Sequence, residues 1–318
     1  MKKSSTIGKE RAHVLRHKPL LGGKHELEEW IKATTEKYGA QPIAERIESK
    51  RNDINSGSYI VYDLETDTST NTHVVNHTEV DVLHVNESYD YDKCLQEPRS
   101  FDGYNSLDEF CDWLFTDKSH HHSTVLAHNG SGYDFRFILK WCLDHGLRPD
   151  VFIRQGNRIL YMWFRKNQLR FVDTLQFFQQ PLADLSSTYG IDTIKGHFPH
   201  HFNTPENQNY VGEIPNVEAF GVKHMSSDKF KDCTKWYESV KDEQWAFKSE
   251  MQKYCRADVE LLSKAVLKSR QMFKQDLDVD PFRYVTLPTL CMSIYRGKFI
   301  PDETSVANEQ TKHSLIAL

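Results

Sequence analysis

A short apolar segment that ends in two carboxylates is the feature that most constrains the fold. Residues 58–65 (SYIVYDLE) are rich in β-branched and aromatic residues, so they predict a β-strand. On a strand, residues i and i+2 point to the same face, and Asp63 and Glu65 therefore point toward one place. Asp-X-Glu pairs are common by chance, so this pair alone indicates no more than a polar strand end.

Strand and helix patterns follow one another along the rest of the chain. The other predicted strands are 74–85, 124–127, 158–164 and 169–174, the last two as a hairpin. The predicted helices are 25–50, 107–115, 133–145, 181–190 and 245–273. Residues 196–230 have little periodicity and predict an ordered excursion or loop. The mixture predicts an α/β fold with a mixed central sheet flanked by helices.

A second segment with a carboxylate follows the strand predicted at 124–127. Its sequence, HNGSGYD, passes through a glycine-rich turn into a helix that begins near Asp134. A carboxylate at a helix N-terminus is favoured by the helix dipole without any further function. Asn129 and Tyr133 are not needed for that role, so helix capping alone does not account for the segment.

A third segment, YCRAD, lies on the helix predicted at 245–273. Residues i and i+4 share one face of a helix, so Tyr254 and Asp258 face the same place. A core tyrosine followed by a surface aspartate would have the same spacing. A fourth segment, Asp173-Thr174-Leu175, ends a predicted strand and predicts nothing by itself.

Taken together, the segments indicate a possible metal site, which none of them indicates alone. They supply one tyrosine and four carboxylates, which are Asp63, Glu65, Asp134 and Asp258. Four carboxylates at close range repel one another strongly unless cations compensate them. Oxygen ligands suit Mg²⁺ or Mn²⁺, and two such ions about 4 Å apart can bind the attacking and leaving oxygens of a phosphodiester.

The sequences of these segments resemble those of a known family. DLET, HNGSGYD and YCRAD resemble the Exo I, Exo II and Exo III motifs of the DEDDy 3′–5′ exonucleases. AHNGSGYDFRFIL, with FVDTLQFFQQPLADL and IKGHFPHHFNT after it, is similar to the protein-primed branch of family B DNA polymerases from viruses, plasmids and organelles. YVGEIP and KWYE, at the ends of residues 209–237, resemble the same branch. The resemblance covers residues 57–300.

This resemblance implies a fold, a reaction and a set of residues. The fold is ribonuclease H-like, and the reaction is proofreading hydrolysis of the 3′-terminal phosphodiester of single-stranded DNA during DNA replication. Tyr254 corresponds to the tyrosine that positions the attacking water. The implied ligands of two Mg²⁺ (or Mn²⁺) ions are Asp63, Glu65, Asp134 and Asp258. The implied contacts with the 3′ end of the DNA are Thr66, Asn129, Tyr133, Thr174 and Leu175.

A catalytic lysine is a further feature of the phage members of this family. It lies between the second and third motifs, where Lys195 and Lys223 are both candidates and the sequence does not decide between them. The histidines of the same region, His197, His200 and His201, are interpreted as structural.

Three regions are predicted along the chain. They are a basic tail with a helical segment at 1–57, the exonuclease domain at 58–275, and a lead-in to a polymerase palm at 276–318. The SLYP-type, lysine-rich fingers and DTD motifs of the polymerase part are absent from this sequence. We therefore expect that this chain alone does not polymerise DNA and is a fragment, a split subunit or a relic. A terminal protein and a separate polymerase part are the expected protein partners.

Composition limits the remaining possibilities. The net charge of −5 argues against a large duplex-binding surface, although a single strand can bind in a cleft lined by carboxylates and metal ions. The six cysteines include no CxxC pair and are interpreted as reduced core residues. The sequence has neither a secretory signal nor an apolar run of about 18 residues. A soluble intracellular protein, without a membrane partner, is expected.

Two other functions remain open. A free-standing DEDD exonuclease on RNA or DNA would have the same four carboxylates, but the palm-like lead-in counts against it. A non-enzymatic remnant that binds DNA or a terminal protein is the second alternative. The presence of every carboxylate together with Tyr254 counts against such a remnant.

Overall fold

The computed structural model describes residues 57–86, 88–193 and 195–298. The predictions for the basic tail and for the helix at 25–50 lie outside these residues, as does the end of the palm lead-in. Residues 57–290, where described, belong to one compact unit. The boundaries predicted at 57/58 and 275/276 stay predictions.

A seven-stranded mixed sheet forms the centre of this unit, in the order β3-β2-β1-β4-β7-β6-β5. Its strands are β1 (Gly57–Asp67), β2 (Val74–Val85), β3 (Leu95–Asp102), β4 (Thr124–Ala127), β5 (Val151–Gln155), β6 (Arg158–Phe164) and β7 (Leu169–Asp173). Strand β1 pairs antiparallel with β2 and parallel with β4, and β4 is parallel to β7. A separate two-stranded sheet contains β8 (Val211–Glu213) and β9 (Gln244–Ala246).

The helices of the described residues are α1 (Tyr91–Cys94), α2 (Ser106–Thr116), α3 (Asp134–Asp144), α4 (Leu175–Phe178), α5 (Leu185–Tyr189), α6 (Ser227–Val240), α7 (Phe247–Leu277) and α8 (Leu287–Lys298). Helix α2 packs against β2 and β3, and α7 packs against β1 and β2. None of the helices in the described part of the chain has the length and apolar character needed to cross a membrane. The predicted α/β fold, with a mixed central sheet flanked by helices, is confirmed.

The strands that were not predicted are β3, β5, β8 and β9, and the helices that were not predicted are α1, α4, α6 and α8. Strand β3 contains Pro98, which is tolerated because β3 is an edge strand. Strand β5 is the other edge of the sheet, and its side chains are mostly exposed, so it lacks an apolar alternation. Helix α6 buries only Cys233, which leaves little periodicity to detect. Its first residues overlap the end of the predicted excursion.

The alternation of side chains along β1 decides where the polar residues point. Ile60, Tyr62 and Leu64 are buried in a cluster with Phe110 of α2 and Phe135 of α3. Burial of each such side chain stabilises the fold by about 1.5–3 kcal/mol. The intervening residues of β1 therefore face the opposite side of the sheet, where α7 packs against β1 and β2.

A buried ion-pair network fixes α7 on β2. Arg256 Nη2 donates to Asp81 Oδ1 at 2.5 Å, and Nη1 lies 3.4 Å from Glu79 Oε2. Ser263 Oγ, two turns later on α7, donates to Asp81 Oδ2 at 2.7 Å. The side chains of Asp81 and Glu79 are 0% and 1% exposed. These contacts set the rotation of α7, and hence the face that it presents to β1.

The predicted excursion is ordered. Its residues Phe198 and Phe220 form a second buried cluster with Trp245 of β9 and with Phe247 and Tyr254 of α7. The cysteines are free, as predicted, and five of them are buried, but Cys291 is exposed and is therefore not a core residue.

Candidate active site

Strand β1 and helix α7 bring three predicted carboxylates and the predicted tyrosine to one cavity of about 270 Å³. Asp63 and Glu65 come from β1, and Tyr254 and Asp258 come from α7. The spacing i, i+2 on the strand and i, i+4 on the helix gives each pair a common direction. The other polar residues in the lining are His128 and Lys195.

Helix α7 lies close to β1 at the first carboxylate. Cys255 Sγ is 3.7 Å from the main-chain oxygen of Asp63 and 3.7 Å from its Oδ2. A thiol is a weak donor, so it can hydrogen-bond to either oxygen. Possible ligand atoms of Asp63, Glu65 and Cys255 all lie within 4.8 Å of one another.

Lys195 is the cation in this cavity. Its ammonium donates a hydrogen bond to Asp258 Oδ2 and lies 4.5 Å from the centre of the Tyr254 ring. Burial works to lower the pKa of Lys195, but Tyr254, Asp258 and Asp63 more than offset it, so the pKa is raised. The lysine is therefore charged at neutral pH. Lys223, the other candidate for the catalytic lysine, is exposed and does not line the cavity.

Asp134 begins α3 at the end of the glycine-rich turn, close to the predicted boundary. Close packing shapes this turn, because a Cβ on Gly130 would lie 2.7 Å from a ring carbon of Phe135. Asn129 adopts a φ of 65°, a conformation in which Asn is enriched. Asp134 is 4% exposed. It lies beside the cavity rather than in its lining, near enough to Asp63 for their charges to interact.

Burial raises the pKa of every carboxyl group in the cluster. For Asp63, burial and then the charge of Asp258 raise the pKa to about 7. Burial and the charge of Asp63 raise the pKa of Glu65 and of Asp134. For Asp258, burial outweighs the opposing effect of Lys195, and the pKa is raised. Added positive charge is therefore needed if all these groups are to be ionised together.

The oxygen atoms in the cavity fit a divalent cation. Asp258 Oδ1 is buried and has no hydrogen-bond partner among the described residues. An unpaired buried acceptor costs about 1–3 kcal/mol, and more if it is charged, so a cation would relieve this cost. Carboxylate oxygens are the ligands that Mg²⁺ and Mn²⁺ prefer. The residues therefore match the predicted kind of metal site.

Thr66 and Tyr133, two of the predicted DNA contacts, are hydrogen-bonded to each other. The Tyr133 hydroxyl lies 2.7 Å from Thr66 Oγ1 and 2.8 Å from Nδ1 of His73, in the β1–β2 turn. Phe137 supports the tyrosine ring edge-to-face, with 5.1 Å between ring centres. Tyr133 is half-buried, so its ring is held in place beside the cavity and remains accessible.

Thr174 and Leu175 directly follow the end of β7. Thr174 is fully buried, and its Oγ1 lies 3.0 Å from His128 Nδ1 and donates to the Ala127 oxygen at 3.2 Å. Asp173 accepts hydrogen bonds from the main-chain nitrogens of Ser131 and Leu175. Thr174 therefore contacts the cavity lining through His128, whereas Leu175 is partly exposed.

Two histidines at the site were not predicted as site residues. His128 lines the cavity, and burial lowers its pKa. His200, predicted to be structural, has its Nδ1 3.8 Å from Glu65 Oε2. Burial and the charge of Lys195 lower the pKa of His200 to about 4, so it is neutral. The position of His128 directly after β4 was a usable signal; no local pattern indicates His200.

The chain is similar in sequence to known DNA polymerases. A profile of the family described as DNA polymerase type B, organellar and viral, matches residues 118–315. A probable DNA polymerase of Neurospora intermedia is 27% identical over 205 residues, which cover 61% of this chain and 21% of the relative. One from Ascobolus immersus is 29% identical over 196 residues, covering 58% of this chain and 16% of the relative. The chain thus spans about a fifth of the length of these curated relatives.

A solved structure, Phi29 DNA polymerase complexed with single-stranded DNA, is similar with a TM-score of 0.46 and 15% sequence identity. The match covers 76% of this chain and 36% of that one.

Proposed function

Because the chain belongs to the organellar and viral family of type B DNA polymerases, we propose that residues 58–275 are a 3′–5′ exonuclease domain. Its substrate is the 3′ end of single-stranded DNA, from which it releases a nucleoside monophosphate. The convergence of Asp63, Glu65, Tyr254 and Asp258 on one cavity is the observation that supports this proposal most. A protein-binding remnant would have no need of this set.

Asp63, Glu65 and Asp258 are proposed to hold one divalent ion, and Asp63 with Asp134 a second. When bound, two such ions supply the positive charge that stabilises the attacking and leaving oxygens of a phosphodiester. The raised pKa of each carboxyl group and the unpaired Asp258 Oδ1 support this assignment.

Tyr254 is proposed to position the attacking water. Burial raises its pKa well above neutral, so the hydroxyl keeps its proton and can both donate and accept a hydrogen bond. Its ring is stacked on Phe198, with ring centres 5.4 Å apart and planes at 29°. A tyrosine held in this way loses little conformational freedom when it orients a water molecule.

Lys195 is proposed to be the catalytic lysine. Its hydrogen bond to Asp258 orients that carboxylate, and its positive charge favours the ionised form. The same charge favours a phosphate that enters the cavity, because electrostatic attraction is strong where water is excluded. These contacts support a role for the lysine in both ligand orientation and charge stabilisation.

The 3′-terminal nucleotides are proposed to lie against Tyr133, Thr66 and Asn129, with Leu175 on the other side. A base that stacks on an aromatic ring gains about 1–3 kcal/mol, and this gain does not depend on which base it is. Such a platform suits an activity that must remove any terminal nucleotide.

The experiment that tests the proposal uses 5′-labelled single-stranded DNA with Mg²⁺ or Mn²⁺. The wild-type chain should produce a ladder that shortens from the 3′ end. The variant Asp63→Ala/Glu65→Ala should produce none, whereas Asp108→Asn/Glu109→Gln, which changes two exposed carboxylates on α2, should match the wild type. Absence of shortening by the wild type, or shortening that persists in the first variant, would refute the proposal.

A further inference from the structure

The segment 135–172 has a charge opposite to that of the whole protein. It contains eight Lys and Arg residues and two Asp residues, while the complete chain has a net charge of −5. Both aspartates form ion pairs within the segment, Asp144 with Lys140 and Asp150 with Arg165. The excess positive charge is therefore not neutralised within the segment.

The topology puts one end of this segment beside the site. Strand β7 is parallel to β4, so both end near the cavity, and β6 runs antiparallel to β7. The β5–β6 turn, Gln155–Arg158, consequently lies at the site end of the sheet. Gly156 has a φ of 57°, which suits the first central position of a tight hairpin turn.

Two main contacts join this turn to the glycine-rich turn that contains Asn129 and Tyr133. The main-chain nitrogen of Ile159 donates to the Ser131 oxygen at 2.9 Å. Arg136 Nη2, on the first turn of α3, donates to the Asn157 oxygen at 2.9 Å. The glycine-rich turn and the β5–β6 turn therefore form one continuous surface, which we call the wall and which includes Tyr133.

Three arginines stand on this wall. Arg136, Arg154 and Arg158 are exposed, and none of them forms an ion pair with any of the described residues. Exposed arginines that face no acidic partner are suited to bind phosphate, because the guanidinium group offers several donors in one plane. We call these three residues the arginine rim.

We propose that the arginine rim binds backbone phosphates of the single strand upstream of its 3′ end. The inference rests on the proposed function, since it assumes that the 3′ end lies in the cavity. The contacts between the two turns put the rim beside the turn of Tyr133, so a strand that leaves the cavity past Tyr133 would pass close to the rim. Contacts with phosphates are independent of sequence, as a domain that removes any terminal nucleotide requires.

The rim also explains how an acidic protein holds a polyanion. The cavity is lined by carboxylates, so the metal ions compensate charge only at the 3′ end itself. Further along the strand, attraction has to come from the protein surface. The arginine rim supplies this attraction to the part of the strand that lies beyond the metal ions. The positive charge is concentrated in residues 135–172, whereas the complete chain is acidic.

The test is the affinity of the chain for a fluorescein-labelled oligo(dT) of 16 nucleotides, measured by fluorescence anisotropy over a range of salt concentrations. All proteins contain Asp63→Ala/Glu65→Ala and are measured in EDTA, so no hydrolysis interferes. The rim variant is Arg154→Gln/Arg158→Gln. The matched control is Arg148→Gln/Lys166→Gln, which removes two exposed charges of the same segment at the opposite end of the sheet; neither forms an ion pair within the described part of the chain.

The rim variant should bind several-fold more weakly, and the slope of log K against log salt should fall in magnitude by about 1.4, because each lost phosphate contact on a single strand contributes about 0.7. The control should have the same affinity and slope as the parent protein, which carries only Asp63→Ala/Glu65→Ala. An unchanged slope in the rim variant, or an equal loss in the control, would overturn the inference. Because binding is measured without hydrolysis, failure of the exonuclease assay is a separate result.

Discussion

The Lys195 ammonium and the Asp258 carboxylate form an ion pair in the wall of the cavity, where the Asp258 side chain is 2% exposed. The same ammonium lies over the ring of Tyr254. One lysine thus connects the two residues of the third motif that face β1. This relationship distinguishes Lys195 from Lys223, which lies between the same two motifs in the sequence but is exposed.

Replacement of Lys195 should slow hydrolysis without preventing folding. We expect Lys195→Ala to lower the single-turnover rate by about 10²–10³-fold, the usual cost of removing one charged or hydrogen-bonding group that stabilises a transition state. Lys223→Ala is the matched control and should retain the wild-type rate. A large loss of rate in Lys223→Ala, together with a normal rate for Lys195→Ala, would show that Lys223 and not Lys195 is the catalytic lysine.

The Tyr254 hydroxyl should matter for the rate and not for the fold. In Tyr254→Phe the ring keeps its packing against Phe198 and its position under Lys195, so only the hydroxyl is removed. We expect the hydrolysis rate to fall about 10²-fold, as for loss of a group that takes part in proton transfer or positions water. The affinity for single-stranded DNA and the melting temperature should stay the same. A rate equal to that of the wild type would exclude this tyrosine from water positioning.

Loss of Arg256 should destabilise the protein strongly. Arg256→Ala leaves the buried carboxylates of Asp81 and Glu79 without their cation, a change that costs about 3–5 kcal/mol when a buried ion pair loses one partner. Urea unfolding measures this cost. Arg99→Ala removes an arginine whose ion pair with Glu97 is exposed, so it should cost at most about 1 kcal/mol. Equal losses for the two variants would contradict the proposed role of the network in fixing α7.

The ring of Tyr133 should contribute to DNA binding through stacking. Tyr133→Ala is expected to weaken the binding of short oligo(dT) by about 1–3 kcal/mol, as measured by anisotropy in the absence of hydrolysis. Tyr133→Phe keeps the stacking surface and loses the hydrogen bonds to Thr66 and His73, so it should weaken binding less. If both variants lost the same affinity, the hydroxyl rather than the ring would be the important group.

The pairing of site residues within each motif was predictable from local geometry. Asp63 with Glu65, and Tyr254 with Asp258, follow from the periods of a strand and a helix, which depend only on backbone geometry. The same alternation places Tyr62 and Leu64 on the opposite face of β1, where both are buried. The resemblance to exonuclease motifs grouped segments that local patterns could not connect.

The contents of the cavity beyond these motifs depended on the tertiary structure. Lys195 directly precedes the excursion and His200 lies in it, where the sequence has little periodicity. They meet the site because the excursion packs its aromatic residues against α7. The edge strands β3 and β5 were missed because their side chains are largely exposed and lack the apolar alternation of an inner strand.

The sequence by itself determined which residues can act together, because the direction of a side chain within one element follows from local backbone geometry. Only the tertiary structure decided which elements meet, that Lys195 is the cation in the cavity, and that Arg154 and Arg158 lie at the site end of the sheet. Such contacts between distant segments depend on the packing of buried surfaces and the pairing of charges across the whole fold, and no short window of sequence contains that information.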